Sequence, residues 1–261
     1  MSKKIIFFSI SSDISYYIAE HLDDKYKIIG TYRTYTKKIS KLKKIKKIKL
    51  DISKKNALNT FVKKNKKIIN NWDILVISIG DQWPLGPFEK INFNEWEKSF
   101  DVNYIKQMEI INKMLPLKAK NSTVLTWAGP ATNNANKFYS AYTLSKIALI
   151  KSMELLDHEI DDCKFTILGP GWVKTKIHKT TLKNKSKVQE SYKLTKKIIG
   201  NNSSRLTLFE NILKCFKWIV KSKKEIVGGR NFSIKYDNWG STVLEKKLKK
   251  NTNIYKLRRV Q

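Results

Sequence analysis

The sequence predicts an α/β fold, a doubly wound and mostly parallel seven-stranded sheet with helices on both faces. Short apolar runs alternate with longer amphipathic stretches along the 261 residues, as in consecutive strand–helix–strand units. The first apolar run, at residues 5–8, is uninterrupted, which is typical of a parallel strand covered on both faces. We find neither an internal repeat nor a linker in the sequence, so we expect a single domain over residues 1–261.

The individual elements follow from the same alternation. Strands are predicted at the short apolar runs, at residues 4–9, 26–31, 46–50, 73–79, 123–127, 165–168 and 226–234. Helices are predicted at the amphipathic stretches, at residues 14–22, 57–66, 95–118, 135–159 and 205–222. Two segments are less regular. Residues 34–49 are expected to form a solvated helix or loop, and residues 175–202 a lid or a plain surface loop.

The composition restricts the classes of partner. The hydrophobic fraction of 41% and the seven tryptophans are those of a folded chain, and no apolar run reaches the ~18–20 residues of a membrane span. The net charge of +31 comes from lysines spread along the chain, since only five of the 53 basic residues are arginine. We therefore expect attraction of anionic ligands, no specific nucleic-acid binding and no membrane partner. Cys163 and Cys215 are isolated, so we expect neither a disulfide nor a metal site, and a cytoplasmic location.

The most informative motif is the string Tyr142-Thr-Leu-Ser-Lys146. Residues i and i+4 share one face of a helix, so a phenol and an ammonium are expected side by side. A neighbouring cation stabilises a phenolate, which should bring the pKa of Tyr142 from about 10 toward the range of a working acid or base. The predicted helix follows the fifth strand, which ends at Thr126 and Trp127. Ligands of open α/β sheets bind at that edge of the sheet.

At these residues the chain resembles the short-chain dehydrogenase/reductase family, and the resemblance extends over nearly its whole length. Tyr142 and Lys146 match the family's Tyr-x-x-x-Lys motif. Asn103 matches the helix asparagine whose backbone serves a proton relay. Thr126, in a Thr-x-Ala-Gly string, matches the serine that orients the substrate, and the alternative is a strand threonine without a catalytic role. The resemblance thus implies a Rossmann-like fold and these four residues as the catalytic set.

The same resemblance implies a nicotinamide dinucleotide at this edge. After the second strand, Arg33 stands where a basic residue accommodates the 2′-phosphate of NADP, and residues 25–50 contain no Asp or Glu. NADP is therefore expected, and NAD less so. Asp51 matches an adenine-contacting aspartate, and Thr175 matches a threonine that contacts the nicotinamide carboxamide. The implied cofactor-binding residues are Ser9, Ser11, Ser12, Ile14, Arg33, Asp51, Ile52, Gly80, Tyr142, Lys146, Pro170, Gly171, Val173 and Thr175.

The loop between the first strand and the first helix departs from the family pattern. Ser9, Asp13 and Ser15 stand at its three glycine positions. After the fourth strand, residues 77–80 keep only the last glycine of an Asn-Asn-Ala-Gly string. The hydroxyls of this loop can donate to phosphate, and Asp13 is expected to cap the following helix. Its carboxylate would compete with phosphate for the same backbone donors.

Two functions remain open from the sequence. The first is a hydride transfer between NADP(H) and a secondary alcohol or ketone of a small-molecule substrate. The strings at residues 11–14 and 30–33 loosely resemble reductases of bacterial surface-polysaccharide gene clusters, and Trp83, Trp127 and Trp172 offer rings that can stack on a sugar. The alternative is a catalytically degenerate binding or partner protein with weak or no cofactor binding. By analogy with the family, a homodimer or homotetramer is expected.

Overall fold

One parallel sheet of seven strands organises the computed structural model, which describes residues 2–22, 24–130, 132–200 and 203–259. The strand order is β3-β2-β1-β4-β5-β6-β7, and each neighbouring pair of described strands is parallel. The strands are β1 (Lys3–Phe8), β2 (Tyr26–Tyr32), β3 (Lys46–Lys49), β4 (Trp72–Ile77), β5 (Lys118–Trp127), β6 (Cys163–Gly169) and β7 (Asn231–Ser233). The predicted doubly wound, Rossmann-like sheet is confirmed.

Helices cover both faces of this sheet. They are α1 (Asp13–Glu20), α2 (Lys37–Ser40), α3 (Ala57–Ile69), α4 (Phe93–Phe100), α5 (Lys106–Met114), α6 (Ser140–Glu159), α7 (His178–Lys183), α8 (Gln189–Gly200), α9 (Phe209–Lys221), α10 (Lys224–Val227) and α11 (Thr242–Lys250). On one face, Ile5 and Phe7 of β1 share a core with apolar residues of α1, α9 and α11. On the other face, Ile6 and Phe8 share a core with residues of α3, α5 and α6. Each of these four side chains is fully buried, which contributes about 1.5–3 kcal/mol apiece.

The connection order opens a crevice in the middle of the sheet. The chain runs outward from β1 to β3, then returns to β4 on the other side of β1 and continues to β7. Connections at such a reversal leave toward opposite faces, so the carboxyl ends of β1 and β4 are left uncovered. The loops that follow β1, β4, β5 and β6 meet at this edge. The site described below lies there.

The helix predicted at residues 95–118 is interrupted and ends earlier. α4 continues into a π-helical turn at Asp101–Ile105 and then into α5. A 3-10 turn at Leu115–Leu117 follows, and Lys118 already begins β5. Pro116 in that turn has no backbone N–H, so it cannot continue an α-helix. The sequence pattern was wrong here because the apolar spacing continues past the end of the helix.

The helix predicted at residues 135–159 begins only at Ser140. Phe138 has a φ of 76°, in the left-handed region that a right-handed helix does not contain. Residues 135–139 therefore form a loop at the mouth of the crevice rather than the first turns of the helix.

The seventh strand was also predicted too long, at residues 226–234. Its first residues lie in α10 (Lys224–Val227), and β7 spans only Asn231–Ser233. Gly229, with a φ of 66°, separates the two elements. The Lys224 ammonium donates to the backbone carbonyls of Asp157, Ile160 and Cys163, so it satisfies the carboxyl end of α6. The β-branched residues 226 and 227 are buried without being in a strand.

The segment at residues 175–202 holds α7 and α8, and its last two residues, Asn201 and Asn202, lie outside the described residues. It packs against the loop after β4 in a small buried cluster of Leu85, Tyr139 and Val188. The segment is therefore a folded cover, and its motion as a lid stays a prediction, as does the single-domain organisation. In the described part of the chain, no helix is long and apolar enough to cross a bilayer.

Candidate active site

A cavity of about 1200 Å³ lies at the carboxyl edge of the sheet. Its walls come from the loops after β1, β2, β3, β4, β5 and β6, together with α6, α7 and α8. All fourteen residues that the sequence assigned to cofactor binding line it. Of the four residues assigned to catalysis, Tyr142 and Lys146 line the cavity, whereas Thr126 and Asn103 lie behind its wall.

Tyr142 and Lys146 lie on the first two turns of α6, where the helix crosses the end of β5. Both side chains are buried, and the Lys146 Nζ is 5.7 Å from the centre of the Tyr142 ring. The ammonium donates to the Trp127 carbonyl at 3.0 Å. α6 can pack this closely because Gly129 has no side chain. A Cβ on Gly129 would lie 2.8 Å from the Tyr142 Cε1 and 3.0 Å from the Lys146 Cγ.

Burial sets the protonation state of this pair. It lowers the pKa of Lys146 from 10.5 to about 8. Burial, helped by the negative charge of Asp81, raises the pKa of Tyr142 above its ordinary value. We expected the pKa of Tyr142 to be lowered by Lys146, and the net shift is in the opposite direction, because desolvation of the phenol and the negative charge of Asp81 outweigh the attraction of the nearby ammonium. Tyr142 is therefore a neutral phenol, a proton donor, at neutral pH.

Asn103 lies in the π-helical turn and fixes the loop after β4. Its Oδ1 accepts from the Asp81 N–H at 3.0 Å, and its Nδ2 donates to the Asp81 carbonyl at 2.8 Å. The Asn103 carbonyl accepts from the Gln107 Nε2 at 2.8 Å. Gly80 directly precedes Asp81. A Cβ on Gly80 would lie 3.1 Å from the Asn103 Oδ1 and 3.8 Å from the Lys146 Nζ. Asn103 thus holds Asp81 beside the Tyr142–Lys146 pair, and its role in a proton relay stays a prediction.

Thr126 is not brought to the cavity. Val124 and Ala128, two residues away on either side, pack in the core shared with α6, so strand alternation turns Thr126 to that face. Its side chain is fully buried, and its Oγ1 has no hydrogen-bond partner among the described residues. Trp127 lines the cavity instead. Thr126 therefore faces the helix that carries Tyr142 and Lys146 without lining the cavity, and its role in orienting the substrate stays a prediction.

Two positions where the chain departs from the family pattern, Ser15 and Ser78, are joined by a hydrogen bond, and Trp127 bonds to the second of them. The Ser78 Oγ accepts from the Trp127 Nε1 at 2.6 Å and from the Ser15 Oγ at 2.6 Å. These side chains come from α1, the loop after β4 and the end of β5. These two departures are separate in the sequence, and only the fold shows that they are in contact.

The loop after β1 keeps the conformation that glycine usually provides. Ser9 has a φ of 68°, in the left-handed region, and its N–H donates to the Thr31 Oγ1 at 3.1 Å. Ser12, and not Asp13, caps α1, because its hydroxyl accepts from the Ser15 N–H at 3.1 Å. Asp13 is the first residue of α1, and its carboxylate accepts hydrogen bonds from Lys38 and Lys176 instead. The predicted capping role of Asp13 is therefore wrong.

The residues around this loop fit the two ends of a dinucleotide. In the described chain, the backbone N–H groups of Asp13 and Ile14 donate to no protein acceptor, so the positive end of α1 is open to an anion. Arg33 and Asp51 line the cavity beyond that helix end. Asp51 accepts from the Ser53 Oγ at 2.6 Å, which holds the pKa of its carboxyl below the usual value.

The other end of the cavity is lined by side chains that sequence reasoning missed. The Tyr139 hydroxyl lies 2.8 Å from the Thr181 Oγ1, which donates to the Gln82 Oε1 at 3.1 Å. This buried chain ties α7 to the loops after β4 and β5. Trp172 stacks on His178 with ring centres 5.4 Å apart. No motif marks Tyr139, Thr181 or Gln82, because loops distant in sequence bring them together, whereas Trp172 was already one of the tryptophans that the sequence proposed for the substrate rim.

Trp83, Trp127 and Trp172, the three tryptophans proposed as a substrate rim, all line the cavity. Among the residues that the structure describes, no group of three His, Cys, Asp or Glu side chains could hold a metal ion. The site is therefore made of a buried phenol–ammonium pair, an open helix end and an aromatic rim.

Comparison with known proteins agrees with this geometry. Residues 11–186, more than half of the chain, match the family model described as short chain dehydrogenase. An uncharacterized oxidoreductase of Schizosaccharomyces pombe is 26% identical over 181 residues, which cover 66% of this chain and 72% of that protein. A crystal structure of a short-chain dehydrogenase/reductase from Saccharomyces cerevisiae has a TM-score of 0.80 at 23% identity, covering 93% of this chain and 98% of that one. A short chain dehydrogenase from Burkholderia cenocepacia, solved in complex with NADP, has a TM-score of 0.73 at 14% identity. The match covers 89% of this chain and 96% of that one.

Proposed function

The chain belongs to the short-chain dehydrogenase family, and we propose that it transfers a hydride between NADP(H) and a secondary alcohol or ketone. Family membership makes it an NAD(P)-dependent oxidoreductase. The preference for NADP, the substrate and the residue roles are our proposal. The observation that carries it is the buried Tyr142–Lys146 pair, in the wall of a cavity that also reaches Arg33 and Asp51.

The cofactor-binding residues that we propose fall into three groups. The open N–H groups of α1, at Asp13 and Ile14, face phosphate, with hydroxyls of the preceding loop beside them. Arg33 receives the 2′-phosphate of NADP, and Asp51 contacts the adenosine. The turn after β6, with Thr175, lies at the nicotinamide end. The NADP in the Burkholderia cenocepacia protein supports this choice of cofactor.

When bound, the nicotinamide supplies or accepts the hydride. Tyr142 donates its proton to the substrate oxygen during carbonyl reduction, since its raised pKa keeps the phenol protonated until the oxygen becomes basic. Lys146 then offsets the negative charge on the phenolate, because its ammonium lies one helical turn away. Asn103 acts through Asp81, whose backbone it holds beside this pair.

Substitution of Tyr142 tests the mechanism. Tyr142→Phe should lower kcat by about 100-fold or more, because the proton donor is lost, while NADPH binding and the melting temperature stay close to wild type. Tyr16→Phe is the matched control, since Tyr16 is also buried but bonds to Glu20 and does not line the cavity. Turnover retained in Tyr142→Phe would refute the assignment.

The alternative function is a catalytically degenerate binding or partner protein. The glycine positions held by Ser9, Asp13 and Ser15 favour it, since a carboxylate at a phosphate site opposes binding. Calorimetric titration with NADPH and then NADH distinguishes the two functions. Heat with NADPH supports the enzyme, and the absence of heat with both dinucleotides supports the binding protein.

The substrate that we propose is a small molecule, with a sugar or sugar-derived ring as the first candidate. Trp83, Trp127 and Trp172 line the cavity and offer ring faces for stacking. We further propose a homodimer or homotetramer, because α4, its π-helical turn and α6 expose the large apolar side chains Phe93, Ile105, Leu144 and Leu155. Sedimentation at micromolar concentration tests this, and a monomer would contradict it. The cytoplasmic location stays a prediction.

A further inference from the structure

Asp13 connects two loops that are far apart in sequence. Its Oδ2 accepts from the Lys176 backbone N–H at 2.8 Å, and its Oδ1 accepts from the Lys38 Nζ at 2.8 Å. The Lys176 side chain crosses in the opposite direction, and its Nζ donates to the Ser11 carbonyl at 2.8 Å. The turn after β6 is thus tied to the start of α1 by reciprocal contacts across the cavity. Ser11, Asp13 and Lys176 all line that cavity.

The charges around Asp13 are unbalanced. Lys38 and Lys176 both contact the Asp13 loop, and Arg33 is close enough to oppose protonation of Lys176. Burial alone would raise the pKa of Asp13, but the hydrogen bonds from Lys38 and Lys176 hold that pKa below its usual value, so the group is an anion at neutral pH. One carboxylate between two lysines leaves a net charge of about +1 at the open end of α1, and Arg33 adds positive charge farther along the cavity. A diphosphate group carries a charge of about −2.

We propose that Lys176 is a diphosphate ligand of this chain and that Asp13 takes the place of the phosphate anion in the free protein. The inference rests on the proposed function, since it concerns the dinucleotide of that site. When the dinucleotide binds, the Lys176 Nζ donates to a phosphate oxygen instead of the Ser11 carbonyl. Lys38 can then contact both the Asp13 carboxylate and the diphosphate. Asp13 then lowers dinucleotide affinity, because its carboxylate remains beside the phosphates.

A surface ion pair alone does not account for the geometry. The pair of Lys44 with Asp24 has the same 2.8 Å separation, but both of its side chains are about 80% exposed. The Asp13 side chain is only 20% exposed, and it bonds a backbone N–H that is 163 residues away along the chain. The Lys176 ammonium donates to a backbone carbonyl, which is a weaker acceptor than a phosphate oxygen. The two lysine–aspartate pairs therefore provide a matched comparison.

The test is a calorimetric titration of wild type and four variants with NADPH and with ADP, which carries the diphosphate without nicotinamide. Lys176→Met should weaken binding of both ligands about tenfold, the effect of losing one hydrogen bond to a charged group. Its affinity should also depend less on salt concentration. Asp13→Asn should tighten binding of both ligands several-fold, because it removes the competing charge. Lys44→Met and Asp24→Asn should leave both affinities unchanged, and melting temperatures establish that all variants are folded.

Two outcomes overturn the proposal, and they are distinguishable. If wild type binds NADPH while Lys176→Met binds NADPH and ADP as tightly as wild type, or Asp13→Asn binds more weakly, the assignment of these two residues fails and the proposed function stands. If neither wild type nor Asp13→Asn gives heat with NADPH or NADH, the dinucleotide site itself fails and the inference fails with it.

Discussion

Replacing Lys146 by methionine should make the protein more stable while it removes activity. Lys146 is 3% exposed, and burial lowers its pKa from 10.5 to about 8. The folded state therefore carries a charged side chain that would be better solvated in the unfolded chain. Methionine has a similar length and no charge, so it fills the same space without that cost.

The size of the effect follows from the pKa difference. At about 1.4 kcal/mol per pH unit, the change from 10.5 to about 8 corresponds to ~3 kcal/mol at pH 7. Loss of the hydrogen bond from the Lys146 Nζ to the Trp127 carbonyl offsets ~1 kcal/mol of this gain. The free energy of unfolding of Lys146→Met should thus exceed that of wild type by about 2 kcal/mol at pH 7.

The stability advantage of Lys146→Met over wild type should become smaller as the pH rises. Below pH 8, Lys146 is charged in the folded and unfolded chains, so the cost is fully present in wild type. Between the folded pKa of about 8 and the unfolded pKa of 10.5, folded Lys146 loses its proton and wild type recovers stability. Urea unfolding at pH 7 and pH 9.5 should therefore show the difference between the two proteins falling by about 2 kcal/mol.

Lys164 provides the control. Burial lowers its pKa to about 8 as well, but its Nζ donates to three carbonyls at the end of α9, those of Ile219, Val220 and Ser222. Lys164→Met should gain little or no stability at pH 7, because the ~3 kcal/mol recovered by removing the buried charge is offset by about 1 kcal/mol for each of the three helix-end carbonyls that lose their donor. A Lys146→Met protein that is less stable than wild type at pH 7, or a stability difference that does not change with pH, would refute the reasoning.

Two further substitutions test the site. Arg33→Asp should weaken NADPH binding by about tenfold or more while NADH binding changes little, because the cation beside the 2′-phosphate becomes an anion; equal losses for the two dinucleotides by calorimetry would argue against this role. Gly129→Ala should lower kcat by about tenfold and stability by ~1–3 kcal/mol, because its Cβ would lie 2.8 Å from Tyr142 and 3.0 Å from Lys146. Gly200→Ala is its control, since a Cβ there meets no atom within 4 Å, and equal behaviour of the two variants in steady-state kinetics and thermal melting would contradict the packing argument.

The regular part of the fold was predictable because parallel strands have a strong local signature. Uninterrupted apolar runs such as residues 5–8 occur where both faces of a strand are covered. Where local preference and tertiary packing disagree, as at residues 226–227, the prediction was wrong. The side chain of Lys224 and the turn at Gly229 decide that region, through hydrogen bonds to the Asp157 and Phe165 carbonyls, which are far away along the chain.

The sequence by itself determined the order of the elements and the spacing of Tyr142 and Lys146 on one helix face, since helical periodicity and strand burial are local properties. Tertiary structure alone decided the protonation state of that pair, because burial depends on packing from other elements. It also decided that Trp127, and not Thr126, lines the cavity. Strand alternation puts the two side chains on opposite faces of β5, but only the packing of the helices on the sheet determines which of those faces is covered by α6. The contact of Asp13 with Lys176 joins residues 163 apart, which no local pattern contains.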